Sequence, residues 1–203
     1  MRLTTPAIIL SLRAHGEHGA VVRMLTPDQG LVAAYVRGAR GRRMRPVLVA
    51  GNAVEARLAA RTEAQLPQAE VELTRSRAPL MTEPLPAAAI VWATALTAQV
   101  LPEHQPYPAL YQGLDGLLEA VASAPSASGW GPALLAYEIL LLAELGFGFE
   151  PDLIERAAAD WLAGLTLTGR RIRRDLLDRP GDPAWDARER LTHRLRRAAG
   201  LVA

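Results

Sequence analysis

Residues 7–37 read AIILSLRAHGEHGAVVRMLTPDQGLVAAYVR, and their period decides the fold. Three short runs alternate, so successive side chains fall on opposite faces of an extended chain. In the first, Ile8, Leu10 and Leu12 alternate with Ile9, Ser11 and Arg13. In the second, Val22 and Met24 oppose Val21, Arg23 and Leu25; in the third, Val32, Ala34 and Val36 oppose Leu31, Ala33, Tyr35 and Arg37. Gly16 and Gly19 mark one turn, and Asp28-Gln29-Gly30 the next. Downstream, Val54, Ala56 and Leu58 alternate with Glu55 and Arg57, and Ala69, Val71 and Leu73 with Glu70 and Glu72. Five short strands in about 75 residues suit a small closed barrel. The fold class is therefore α+β: a five-stranded OB-fold barrel, with an SH3-like barrel as the alternative, followed by a mainly α-helical C-terminal domain.

From about residue 77 the period becomes helical. SRAPLMTEPLP holds three prolines and divides the chain into a nucleic-acid-binding barrel over 1–76, a linker over 77–86 and a helical domain over 87–203. The spacing predicts helices over 87–101, 108–122 and 133–145, and a terminal basic helix in ERLTHRLRRAAG. SAPSASGWGP reads as a loop, and WLAGLTLTGRRIR (161–173) as a short hairpin turning at Thr168-Gly169. Glu138 and Glu144 limit how much of the helix over 133–145 can be buried.

Between the third and fourth strands, residues 36–45 read VRGARGRRMR, placing Arg37, Arg40, Arg42, Arg43 and Arg45 together without an acid. Even in water, close like charges repel by about 1 kcal/mol per pair, so a polyanion partner is expected. Phosphate contact needs charge more than side-chain precision, which suits arginines on a glycine-bearing loop. Charge along the chain agrees: residues 1–62 carry ten Arg and three acids, 63–155 two Arg and twelve acids, and 156–203 eleven Arg and six acids. Tyr35 is the sole Phe, Trp or Tyr before Trp92 and shares a strand face with Arg37; it can stack one base or simply pack. With so little stacking, binding should be electrostatic and tolerant of duplex.

Two further basic clusters, Arg170, Arg171, Arg173 and Arg174, then Arg188, Arg190, Arg194, Arg196 and Arg197, are candidates for contact with DNA or an acidic peptide. Ion pairing on a helix surface is their plain alternative. An acidic peptide also needs an apolar pocket, which the helix over 133–145 is expected to line. The chain has no Lys and no Cys, which excludes a Walker lysine, a Schiff base, thiolate chemistry and cysteine-ligated zinc. His15, Glu17 and His18 lack a fourth ligand and read as an exposed turn. No acid–base pair or nucleophile motif stands out, so neither an enzyme nor a cofactor or metal is expected. The uncharged run over 85–101 is short for a membrane span, and the N-terminal apolar run is short for a signal peptide. A soluble, cytoplasmic protein is expected.

Three segments together resemble the RecO family of DNA repair proteins: AIILSLRAHGEHGAVVRMLT, TPDQGLVAAYVRGAR and LLLAELGFG. The resemblance is close over about residues 5–45 and 133–150. It implies an OB barrel and a helical domain, a non-enzymatic role at the nucleoid, and binding of single- and double-stranded DNA with strand annealing. It also implies work with RecR in loading RecA, and docking of the acidic C-terminal tail of single-strand-binding protein on the helical domain. Many members carry cysteines after the matching helix, some binding zinc; RAAADWLAGL has none, so no metal site carries over. An RNA- or ribosome-associated OB protein, and an interaction scaffold with weak DNA affinity, are the other readings.

Overall fold

The computed structural model describes residues 2–60, 62, 65–179 and 181–200. Its strands are β1 (Arg2–His15), β2 (Gly19–Thr26), β3 (Gly30–Val36), β4 (Ala53–Ala59) and β5 (Gln68–Arg75), closed into a barrel in the order β1-β2-β3-β5-β4. β1 is long because it serves two partners. Its first half pairs with β4 (Leu3 with Leu58, Ala7 with Val54) and its second with β2 (Leu12 with Val22, Ala14 with Ala20). A bulge between Ile9 and Ser11 provides the bend this needs. A parallel pairing of Tyr35 with Gln68 closes β3 on β5. This strand order is that of an OB-fold, and the SH3-like alternative falls away.

The bulge also corrects the alternation expected in β1. Leu10 is the extra residue, so Leu12 shares a face with Ile9, whereas Ile8 and Leu10 look outward. Inside the barrel lie mainly small side chains, among them Ala7, Val22, Val32, Ala34, Val36, Val54 and Ala56, with Ile9, Met24 and Leu58. A five-stranded barrel has room for little more.

The helices are α1 (Pro84–Val100), α2 (Pro108–Ser123), α3 (Ala127–Glu144), α4 (Pro151–Ala159), α5 (Trp161–Asp175) and α6 (Pro183–Ala198). Ile8, Leu10, Leu25 and Leu31 of the barrel wall share one buried cluster with Ala89, Ile90, Leu96 and Leu118 of the helices. A second seam crosses the β2–β3 turn, where His104 N donates to Leu31 O at 3.0 Å and Arg23 meets Glu103 at 3.2 Å. Gly30 sits in this seam at φ 65°, and a Cβ there would lie 1.8 Å from the Gln105 carbonyl oxygen. No other residue fits that position unstrained. The segment expected as a linker over 77–86 is ordered: Arg77 is 1% exposed, a 3-10 turn covers Ala78–Thr82, and α1 starts at Pro84.

Three readings of the helical half are corrected. The expected hairpin over 161–173 is helix α5: Asp160 caps it by accepting from Leu162 N and Ala163 N, and Leu165, Thr168, Gly169 and Ile172 bury one helical face. The expected loop SAPSASGWGP is mostly helical, because burial of Trp130 draws the first turns of α3 back to Ala127, with Pro132 inside the helix. Glu138, expected to limit burial, is itself 1% exposed. Its carboxylate accepts from Trp92 Nε1 at 2.7 Å, from Thr168 Oγ1, and from Arg188 Nη2 at 3.1 Å. The Arg188 guanidinium lies on Gly169 and over the Trp92 and Trp185 rings, at 5.5 and 5.6 Å from their centres. This buried ion pair joins α1, α3, α5 and α6.

Candidate nucleic-acid interface

The chain from Arg37 to Asn52 runs between β3 and β4 as a series of turns. Gly41 N donates to Gly38 O at 2.9 Å, Met44 N to Gly41 O at 3.1 Å and Leu48 N to Met44 O at 2.9 Å. Gly38, at φ 67°, opens the first turn. Ala39 and Leu48 are buried, and with Met44 and Val47 they extend the barrel-interior cluster. The apolar residues thus fix the loop to the barrel. Arg37, Arg40, Arg42, Arg43 and Arg45, interleaved with them, are all exposed. Among the described residues none of the five forms an ion pair. Arg40 Nη1 donates to Glu17 O at 3.2 Å and Arg45 Nε to Arg40 O at 3.0 Å, leaving most of their donors to solvent.

The Arg40 contact ties the loop to the β1–β2 turn, beside which Tyr35 of β3 also packs. Tyr35 pairs across the sheet with Val21, and Val21 with Arg13, so the three share the outer wall. Its half-buried ring rests on Gly19, where a Cβ would come within 2.2 Å of the hydroxyl, and meets His15 edge-on at 5.8 Å. The structure therefore brings Tyr35 and the arginine loop to one end of the barrel, with part of the Tyr35 ring already covered.

The root of the loop depends on residues that sequence reading did not single out. Asn52 is fully buried; its Nδ2 donates to Pro46 O and Val47 O, both at 2.9 Å, and its Oδ1 accepts from Arg77 N at 2.7 Å. Arg77 Nη1 donates to Gly51 O at 2.7 Å and Nη2 to Asp115 Oδ1 of α2 at 2.7 Å. The only sequence signal here is Gly51-Asn52 before a strand, which reads as an ordinary turn.

The other arginine clusters are largely engaged. Arg171 and Arg174 both pair with Asp175, at 2.9 and 2.7 Å. The hydrogen bond from Arg174 holds the Asp175 carboxyl below its ordinary pKa. Arg173 donates to Leu177 O and Arg179 O and lies over the Trp185 ring. Arg188 is 5% exposed and structural, which corrects its place among the surface candidates. Arg194 donates to Pro84 O, whereas Arg170, Arg190, Arg196 and Arg197 are exposed. Between α5 and α6 lies a cleft of about 490 Å³ whose apolar lining is Leu162, Leu165 and Trp185, flanked by Arg170, Arg173, Arg174 and Arg196. Its lining thus sets apolar side chains beside arginines, with Glu189 among them, and α3, expected to line an apolar pocket, contributes nothing to it.

His18 and Glu17 approach to 3.9 Å on the exposed turn, and among the described residues no group of three or more His, Asp or Glu could hold a metal ion. No described helix is long and apolar enough to cross a membrane.

Comparison with known proteins yields two adjacent family matches, to the recombination protein O N-terminal domain over residues 1–77 and to its C-terminal domain over 82–158. Curated relatives named DNA repair protein RecO include one from Rhodospirillum centenum, 42% identical over 151 residues, covering 74% of this chain and 59% of the relative. One from Caulobacter vibrioides is 37% identical over 181 residues, covering 89% of this chain and 72% of the relative. One from Phenylobacterium zucineum is 34% identical over 187 residues, covering 92% and 75%.

Proposed function

Since the chain belongs to the RecO family of DNA repair proteins, we propose that it binds single- and double-stranded DNA through its arginine loop and anneals complementary strands. One observation carries this reading: five exposed arginines without ion pairs, on a loop whose apolar residues anchor it to the barrel. A cationic surface held in place attracts phosphate without reading bases. Annealing needs that property, because both strands must be held without a strong preference for unpaired bases. In this division of labour the barrel over 1–76 holds nucleic acid, and the helices over 87–203 meet protein partners. The partners are RecR and the acidic C-terminal tail of single-strand-binding protein, with RecA loading as the outcome.

The test is the annealing rate of complementary strands, bare and coated with single-strand-binding protein. Acceleration on both supports the proposal. A preference for structured RNA supports the RNA-associated reading, and no binding at low salt with RecR binding retained supports the scaffold.

Tyr35 has a limited part. Tyr35→Leu should cost at most the stacking of one base, about 1–3 kcal/mol, on single strands and nothing on duplex, as read by fluorescence anisotropy. A loss on duplex as large as on single strands counts against a stacking role.

The α5–α6 cleft is the proposed seat for the acidic tail, since it combines apolar lining with arginines. Charge reversal at the rim, Arg170→Glu with Arg196→Glu, should weaken binding of an acidic tail peptide about tenfold or more in calorimetry. Unchanged peptide affinity removes the cleft from the proposal.

A further inference from the structure

We propose that Asn52 and Arg77 are positioning residues for nucleic-acid binding, which hold the root of the arginine loop to helix α2. The inference rests on the reading of that loop as the DNA contact. Asn52 sits where the loop enters β4, and all its side-chain hydrogen bonds join the loop to Arg77 or to itself. Its amide nitrogen donates to Pro46 O and Val47 O, immediately after the last loop arginine, and its oxygen receives Arg77 N. Arg77 continues the chain of contacts, one guanidinium arm on Gly51 O and the other on Asp115 of α2. Gly51, at φ 86°, also packs so close to α1 that a Cβ would come within 2.8 Å of Ile90 Cγ2. Backbone pairing completes the root: Gly51 N donates to Ile9 O at 2.8 Å and Ile9 N to Asn52 O at 2.9 Å.

A loop that binds by charge alone can afford to be loose, but ordering it on binding costs affinity. Here the root is ordered beforehand, by a cation that is 1% exposed and whose carboxylate partners, Asp115 at 2.7 Å and the more distant Glu119 at 3.7 Å, both belong to the helical domain. Neither Asn52 nor Arg77 is exposed to touch DNA. DNA affinity should therefore depend on Asp115, an acidic residue remote from the loop in sequence.

Asp115→Ala, which removes both the charge and the oxygen that accepts from Arg77, separates this from a simple charge effect by sign. Removing an acid raises the positive charge of the protein, and charge alone predicts tighter DNA binding. Loss of positioning predicts weaker binding, by about fivefold or more. Anisotropy of a labelled duplex at fixed salt gives the affinity, and amide hydrogen exchange over residues 38–48 gives the order of the loop. The expected result is weaker binding with faster exchange. Unchanged or tighter binding overturns the proposal. Asn52→Ala should have the larger effect, and because it removes the three hydrogen bonds of a fully buried side chain, Asp115→Ala, at a partly exposed side chain, carries the test if that variant does not fold. A variant with Arg40, Arg42, Arg43 and Arg45 replaced is measured alongside. Should it keep full affinity, the loop is not the DNA contact and both readings fall; should it lose affinity while Asp115→Ala does not, only the positioning role falls.

Discussion

Replacing Arg40, Arg42, Arg43 and Arg45 together with Ser is expected to lower duplex DNA affinity by about three orders of magnitude near 0.1 M salt. Each phosphate neutralised releases condensed counterions, so four lost contacts reduce the slope of log K against log salt by about 3.6 on duplex and about 2.8 on single strands. The fold should survive. The loop backbone is held by Ala39, Met44, Val47 and Leu48 and by Asn52, none of which is changed, and only the two exposed side-chain hydrogen bonds of Arg40 and Arg45 are lost. All four arginines are exposed, and among the described residues none has an acidic partner to orphan. Circular dichroism should therefore show an unchanged or slightly raised melting temperature, because mutual repulsion is relieved. Annealing should fall with affinity. A variant that melts normally and still binds and anneals would mean that the contact lies elsewhere, with the exposed Arg170, Arg190, Arg196 and Arg197 next in line.

The largest effect on stability should come from Arg188→Met. Removing one member of a buried ion pair leaves the other charged and without its counterion, at a cost of about 3–5 kcal/mol. For a chain of this length that is about 6–20 °C in melting temperature. Glu138 would keep Trp92 and Thr168 as donors but lose the one cation that pairs with it among the described residues. Neutralising it as well should help. In the double variant with Glu138→Gln the amide oxygen still accepts from Trp92, no charge remains at this site, and the protein should melt above the single variant. DNA affinity measured below the transition should not change in either. If Arg188→Met melts like the parent protein, the guanidinium is not part of the core.

The barrel was legible in the sequence because each strand buries one face and the turns carry glycine at the required places. What alternation could not show was the bulge at Leu10, where one extra residue slips the period and sends Leu12 to the other face. The helical half was less legible for a different reason. In α5 the small residues Gly164, Thr168 and Gly169 occupy the buried face, because Leu135 and the Arg188 guanidinium fill the space above them. Small polar residues at core positions look like a turn to any pattern based on hydrophobicity. Glu138 and Arg188 misled in the same way: each is charged, each is buried, and only their partnership across 50 residues explains it. The arginine loop was plain from composition alone. Its root was not, since Asn52, Arg77 and Asp115 meet only in the folded chain.

The claim that the loop is an electrostatic clamp is tested most directly by the salt dependence of DNA binding by the unaltered protein. If all five arginines meet phosphates, log K should fall with log salt at a slope of about −4.5 on duplex and about −3.5 on single strands. An affinity that does not respond to salt contradicts it.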